Sequence, residues 1–342
     1  MLNASSLCSE DGRLLLEDVF PRHSHRSFYM GILFIGLGCV FLPICGFVFS
    51  VFWTSRPHMI ANTCYKLLAI TTALDIVNLV TSSLICGFLA LKHRTPCNGE
   101  EWILYFSNFA VAGWLMYSAG AEVLALNRLL VFVNQNLEAK LFYGKRCWLW
   151  LLYIIGYPAV LTLTNLDKTY VFVPSAGVVY DVEYNPMHFL SNLVKMTSVT
   201  FAYLLVLYKV FKMRKMTGNQ DGALAFQIKV STGLLLLNFF SKISTQTLVI
   251  AALADICATT YTITSYFPEE WEISQYSGLI GQLSWIILHG GTGIIYLCLN
   301  ATVRQTLSSI FGRNRTAPYQ QQLLSTSLNT GNAQLQEHLA KY

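Results

Sequence analysis

The chain has 342 residues, of which 54% are hydrophobic, 13% aromatic and only 12% charged, with a formal net charge of +5 and a mean hydropathy of +0.47. Soluble domains carry roughly twice that share of charge, so a soluble globular domain is excluded and a polytopic helical membrane protein fits, with one bundle using nearly the whole length. Nucleic acid is excluded as a partner as well, because the lysines and arginines sit in short loops between apolar runs, where membrane topology accounts for them.

Residues 1–27 are polar and charged and contain no recognisable signal peptide, so the first apolar run is expected to act as its own signal anchor. Asn3-Ala4-Ser5 is a glycosylation sequon, which has meaning only if this tail lies outside. Apolar runs long enough to span then fall at Phe28–Trp53, Leu67–Leu91, Trp102–Val133, Cys147–Leu163, His188–Phe211, Phe226–Ala254 and Tyr276–Asn300. The fourth is at the short limit for a span, whereas the third and sixth can tilt or project. No inverted repeat of the transporter kind is visible.

Orientation follows from the loop charges. One side carries Arg56, Lys66, Lys140, Lys145, Arg146, Lys209, Lys212, Arg214, Lys215, Lys229, Arg304, Arg313 and Arg315, and the other side is poorer, with none between Ala254 and Tyr276. The richer side is cytoplasmic, which puts the N-terminus outside, where the Asn3 sequon can be used. Outside, the acidic stretch 256–275 and the aromatic stretch 164–187 are expected to be loops that cap the bundle. Inside, Val303, Leu307, Ile310 and Phe311 fall at helical spacing with Arg304 on another face, which predicts an amphipathic surface helix over 301–312. Residues 313–342, rich in Gln, Ser, Asn and Thr, are expected to be a disordered cytoplasmic tail. The predicted fold is therefore all-α: an extracellular tail (1–27), a seven-transmembrane helix bundle (28–300), the surface helix and the tail.

Charges inside the spans are the candidate functional groups. Arg128 follows Asn127 at the cytoplasmic end of the third span. An arginine at the bilayer centre costs about 2.5–3.5 kcal/mol on insertion scales, so it either faces the bundle interior or snorkels to the membrane surface. Asp75 lies about nine residues, roughly 14 Å, above the cytoplasmic end of the second span, and needs a partner: a polar network, a sodium ion, or capping Ser, Thr or Asn side chains. Either one of Glu122, Lys195 and Lys242 is a counter-ion for an anionic ligand, or they form internal ion pairs or snorkel outward; for Lys195, near the surface, an internal pair or snorkelling is the stronger reading, and for Lys242 the choice is open. A seven-helix zinc hydrolase needs several His and Asp side chains on one face. Of the seven histidines only His289 is deep in a span, and neither a Gly-x-Ser-x-Gly motif nor a phosphate-binding glycine loop is present. The chain is read as a non-enzyme without cofactor or metal.

An outside N-terminus, seven spans, Asp75 in the second, Arg128 closing the third, Tyr296 near the end of the seventh and a following surface helix together resemble a G-protein-coupled receptor. The wording of several segments is similar to the nematode serpentine chemoreceptors of class T. These segments are Cys64-Tyr65-Lys66 with Asp75, Leu126-Asn127-Arg128, Tyr184 with His188 and Asn192, His289-Gly290, Ile295-Tyr296-Leu297, and Leu299-Asn300 with Arg304. The resemblance implies a chemosensory receptor of a ciliated neuron, in the plasma membrane and its sensory cilium, that binds a small-molecule ligand and couples to a heterotrimeric G protein. Asn127, Arg128, Lys212, Arg214 and Lys215 would form the docking surface. A seven-helix transporter or ligand-gated channel is the alternative.

Departures accompany the resemblance. Asn127 stands where rhodopsin-like receptors have an acid, and an amide can bond Arg128 without neutralising it. The seventh span lacks the usual proline and the sixth lacks the Trp-x-Pro bend. The usual bridge to the second extracellular loop is impossible because 164–187 contains no cysteine, which leaves Cys97 with Cys8 or Cys257 as outside partners. Finally, His289 lies about 13 residues, near 20 Å, inside the outer end of its span, at a depth close to that of Asp75. His289, Thr292, Tyr296 and Asn300 share one face of the helix, so the activation network is expected to include an Asp75–His289 contact.

Overall fold

The computed structural model describes residues 7–16, 24–54, 63–164, 170–182, 186–218, 245–264, 267 and 271–311. Seven helices are long and apolar enough to cross a membrane. The first is Ser24–Thr54, with Pro43 inside it. The second runs from Thr63 through Leu79, widens into a π-helical stretch at Val80–Ile85, and continues as Cys86–Lys92. The third is Trp102–Val133, the fourth Trp150–Thr164 and the fifth Pro186–Gly218. The sixth is described over Thr245–Thr264 and the seventh is Ser277–Leu299.

The third span is the axis of the bundle, packing against the second, fourth and fifth, while the first packs against the second and seventh. Close approach of helices needs small residues. A Cβ on Gly87 would meet the side chain of Ile35 at 2.7 Å, and one on Gly290 would meet the Phe41 ring at 2.3 Å, so these glycines set how near the first span lies to the second and seventh. The π-helical stretch has a purpose in the packing as well. Widening the turn loosens the helix's own hydrogen bonding, and the Ser82 carbonyl takes its bond from Gln282 Nε2 of the seventh span at 2.7 Å.

Two features at the outer end differ from the expectations above. The stretch between the fourth and fifth spans holds a two-stranded antiparallel hairpin, β1 (Tyr170–Val173) and β2 (Val178–Asp181). Its turn closes through Gly177 N–H to the Val173 carbonyl at 2.8 Å, with Gly177 at φ 74°, a conformation that glycine adopts without strain. The sixth helix also continues to Thr264, through residues expected to begin a loop at 256. Its threonines are tolerated in the membrane because their hydroxyls return to the helix: Thr262 Oγ1 donates to Ala258 O at 2.9 Å and Thr264 Oγ1 to Tyr261 O at 3.1 Å.

Cys8 is bonded to Cys97, with Cα atoms 5.6 Å apart, while Cys257 is a free, buried thiol within the sixth span. The outside location expected for Cys257 is thereby corrected, and the choice between the two partners falls to Cys8. The tail so held joins the hairpin: Leu7 and Leu14 form one apolar cluster with Leu104, Val171, Val173, Ala176 and Val178. Residues 1–300 form one compact unit. The segment beyond it contains the helix Ala301–Ile310, whose sequence is amphipathic. Asn3, Lys242 and the tail from 312 onward lie outside the described residues.

Candidate functional site

The polar groups of the interior fall into three levels along the third span. At the outer level lies a cavity of about 330 Å³, lined by Val111 and Trp114 of the third span, both hairpin strands, Phe189 and Asn192 of the fifth, Cys257, Ala258 and Tyr261 of the sixth, and Gly278, Gly281 and Trp285 of the seventh. The hairpin is fixed over the bundle by Phe172 N–H donating to Ser107 Oγ at 3.0 Å, and by Tyr261 Oη donating to the Val179 carbonyl at 2.9 Å. Tyr180 stands at the rim beside Ser277 Oγ, 3.4 Å away. Burial pushes its hydroxyl above the ordinary tyrosine range, against the opposing pull of Ser277 and Arg26, so Tyr180 is a neutral hydrogen-bonding group here.

The middle level turns on Trp114. Its Nε1–H donates to Asn192 Oδ1 at 2.8 Å, and Lys195 Nζ lies 4.3 Å from its ring centroid as a cation–π contact. Lys195 is 1% exposed, which sets snorkelling aside and leaves the internal alternative: the ammonium turns inward, where the Trp114 face and the charges of Asp255 and Glu122 attract it. Its Nζ has no hydrogen-bond partner among the described residues. Glu122 instead accepts from Tyr153 Oη at 2.7 Å and Asp255 from Thr200 Oγ1 at 2.6 Å. Asp255 is a charged member of this cluster that the sequence reading missed, because it lay just before the residues assigned to a loop.

Beneath Trp114 lies a fully buried pair. His289 Nδ1 and Asp75 Oδ1 are 2.7 Å apart, both residues 0% exposed, and a proton on one of the two atoms is required for the contact. Asp75 Oδ2 and His289 Nε2 have no hydrogen-bond partners among the described residues. The imidazole meets the Tyr117 ring edge to face at 4.6 Å and the Trp114 ring at 6.4 Å. His289, Thr292, Tyr296 and Asn300 are all buried to 2% exposure or less, so this face of the seventh span looks inward along its length.

The inner level is Arg128, 1% exposed, whose Nε and Nη2 make no hydrogen bond among the described residues. The charge-sensitive groups around it are Tyr203 of the fifth span, Tyr296 of the seventh and Glu138. Tyr296 packs edge to face on Phe52 at 5.2 Å. Asn127 does not bond Arg128: its Nδ2 donates to Glu138 Oε1 at 2.9 Å. Glu138 belongs to a short helix, Gln135–Phe142, whose start is capped by Asn134 Oδ1 accepting from Leu137 N–H. The carboxylate absent next to Arg128 in sequence is thus supplied from the following loop. Asn134 could announce the start of that helix, but the residue three positions on is Leu137, so no capping-box wording points to Glu138. Lys212 is exposed on the fifth helix, while the side chains of Arg214 and Lys215 are outside the described set.

A family model described as serpentine type 7TM GPCR chemoreceptor Srt matches residues 8–319. No curated protein matches the chain. Among solved structures, the crystal structure of squid rhodopsin is similar with a TM-score of 0.65 at 11% identity, covering 86% of this chain and 90% of that one. At that identity the likeness speaks for the fold alone, a seven-helix transmembrane bundle.

Proposed function

Because the chain belongs to the serpentine type 7TM GPCR chemoreceptor family Srt, we propose that it binds a small extracellular ligand in the outer cavity and activates a heterotrimeric G protein at the inner end of its third span. Arg128 carries this reading. Among the described residues, which do not include 219–244, the buried guanidinium has donors unmatched; leaving a charged donor so costs about 1–3 kcal/mol or more, and it is retained where something else completes it. A cytoplasmic partner that presents carbonyl or carboxylate oxygens does so. Asn127 belongs to the same surface, and Lys212, Arg214 and Lys215 add positive charge that attracts an acidic partner element.

The route between the two ends runs through neighbouring side chains. Trp114 forms part of the cavity wall and meets His289, His289 holds Asp75, and Tyr296, on the same face of the seventh span, is near enough to feel the charges of both Asp75 and Arg128. A ligand that shifts Trp114 therefore acts on the face of the seventh span that reaches Arg128. The test is second-messenger output in cells expressing the chain with an N-terminal tag for surface counting. Arg128→Ala is expected to abolish output at unchanged surface level. Unchanged output overturns the role of Arg128, and a ligand-gated current without G protein favours a channel instead.

A further inference from the structure

The cover over the outer cavity has two layers. Alternation along the hairpin sets Tyr170, Phe172 and Val179 against the core of the bundle, whereas Val171, Val173 and Val178 pack with Leu7 and Leu14 of the disulfide-held tail. Every hairpin residue from 170 to 179 is buried as a result. The hairpin also meets the spans around it closely. Phe172 is bonded to Ser107 of the third span and Val179 to Tyr261 of the sixth. A Cβ on Gly278 of the seventh span would come within 2.6 Å of the Ala176 carbonyl, and one on Gly177 within 3.0 Å of Met30 of the first. The side that remains is that of the fifth span.

Exposure along the cavity wall points to the same side. The lining residues of the third and seventh spans are all buried, whereas those that keep exposure are Tyr180 and Asp181 at the end of β2, Phe189 and Asn192 of the fifth span, and Tyr261 and Thr262 of the sixth. Phe189 is 39% exposed. Phe189, Asn192 and Thr262 all fall within the membrane-crossing stretches Phe189–Lys212 and Thr245–Thr264, and their neighbours Leu190, Leu193 and Ile263 are exposed apolar side chains. An opening framed in this way faces lipid. Lipid is also the richer source of an apolar ligand, because each methylene favours the bilayer over water roughly fourfold. We propose, resting on the ligand-binding reading above, that the cavity opens between the outer ends of the fifth and sixth spans into the outer leaflet, and that its ligand is a predominantly apolar molecule that reaches it dissolved in lipid. Phe189 and Thr262 form the two sides of this mouth.

The test uses the full chain purified into lipid nanodiscs, without G protein, and a photoactivated carbene precursor in two forms. Phenyl(trifluoromethyl)diazirine dissolves in lipid, and its trimethylammonium derivative stays in water. After mixing and a flash, peptide mass spectrometry reads the label at Val111 and Gly281, which line the cavity and are buried behind the mouth. The lipid-soluble form is expected to label both and the water-confined form neither. Phe189→Trp and Thr262→Trp each narrow the mouth. Both are expected to lose the cavity label at short delay and regain it at long delay, while the exposed Leu193 keeps its label throughout. Leu14→Ala loosens the outer cover and is expected to leave the time course unchanged. Absence of cavity label from the lipid-soluble form, labelling by the water-confined form, faster labelling in Leu14→Ala, or an unchanged time course in both folded tryptophan variants each overturns the proposal. Entry through the mouth without any G-protein activation sinks the coupling reading and spares this one.

Discussion

The two ends of the bundle treat buried polar groups in opposite ways. At the outer end the protein ties itself together: Cys8 to Cys97, β1 to β2, β1 to Ser107, β2 to Tyr261 and Trp114 to Asn192. At the inner end, among the described residues, Arg128 keeps two guanidinium nitrogens without acceptors and Asn127 Oδ1 is unmatched. The outer end is a container built in advance. The inner end, on the proposed function, is completed only by a partner. Affinity outside should then depend on preorganisation, and output inside on charge.

The strongest way to separate the ends is to cut the outer one. The disulfide closes a separation of 89 residues, and loss of such a link costs about 2–5 kcal/mol. Cys97→Ser is expected to lower the thermal midpoint and weaken ligand binding while ligand-independent G-protein activation persists in the surviving folded receptor. Loss of both activities in a variant with a native midpoint would show that the ends are not separable in this way.

The link between the ends is tested by a double-mutant cycle on Asp75→Asn and His289→Gln. Side chains 2.7 Å apart in a dry interior should be coupled by about 0.5–3 kcal/mol, read as non-additive losses of agonist potency. Additive losses would remove the pair from the route, whatever its value for stability. Smallest is the effect of the basic cluster. Neutralising Lys212, Arg214 and Lys215 together is expected to weaken coupling by about 0.2–1 kcal/mol per pair it forms, and the wild-type advantage should shrink as salt is raised. Coupling unaffected at low salt would reduce the cluster to a topology signal.

Much of the frame was legible in the sequence, and the reasons are physical. A span must be a run of apolar residues about 20 long, and lysines and arginines report its side, so seven spans and their order are written in composition. Equal depth along two helices brought Asp75 and His289 to the same layer before any coordinates, because helical rise is constant. What composition could not report was the company that residues keep. Lys195 reads as either a snorkelling or an internally paired residue until the Trp114 ring stands beside it, and Asn127 looks like the partner of Arg128 until the capped helix after Asn134 brings Glu138 to it. The hairpin was hidden because a strand of four residues gives little periodicity, and the last two turns of the sixth helix because threonines that bond their own carbonyls read as loop.

The most direct measurement is nucleotide exchange on a purified heterotrimeric G protein in vesicles that contain only this chain, compared with its Arg128→Ala variant at matched, folded protein. The account expects exchange above the protein-free baseline with the intact chain and a return to that baseline with Arg128→Ala, ligand binding in the outer cavity being retained. Equal exchange by both forms would contradict it.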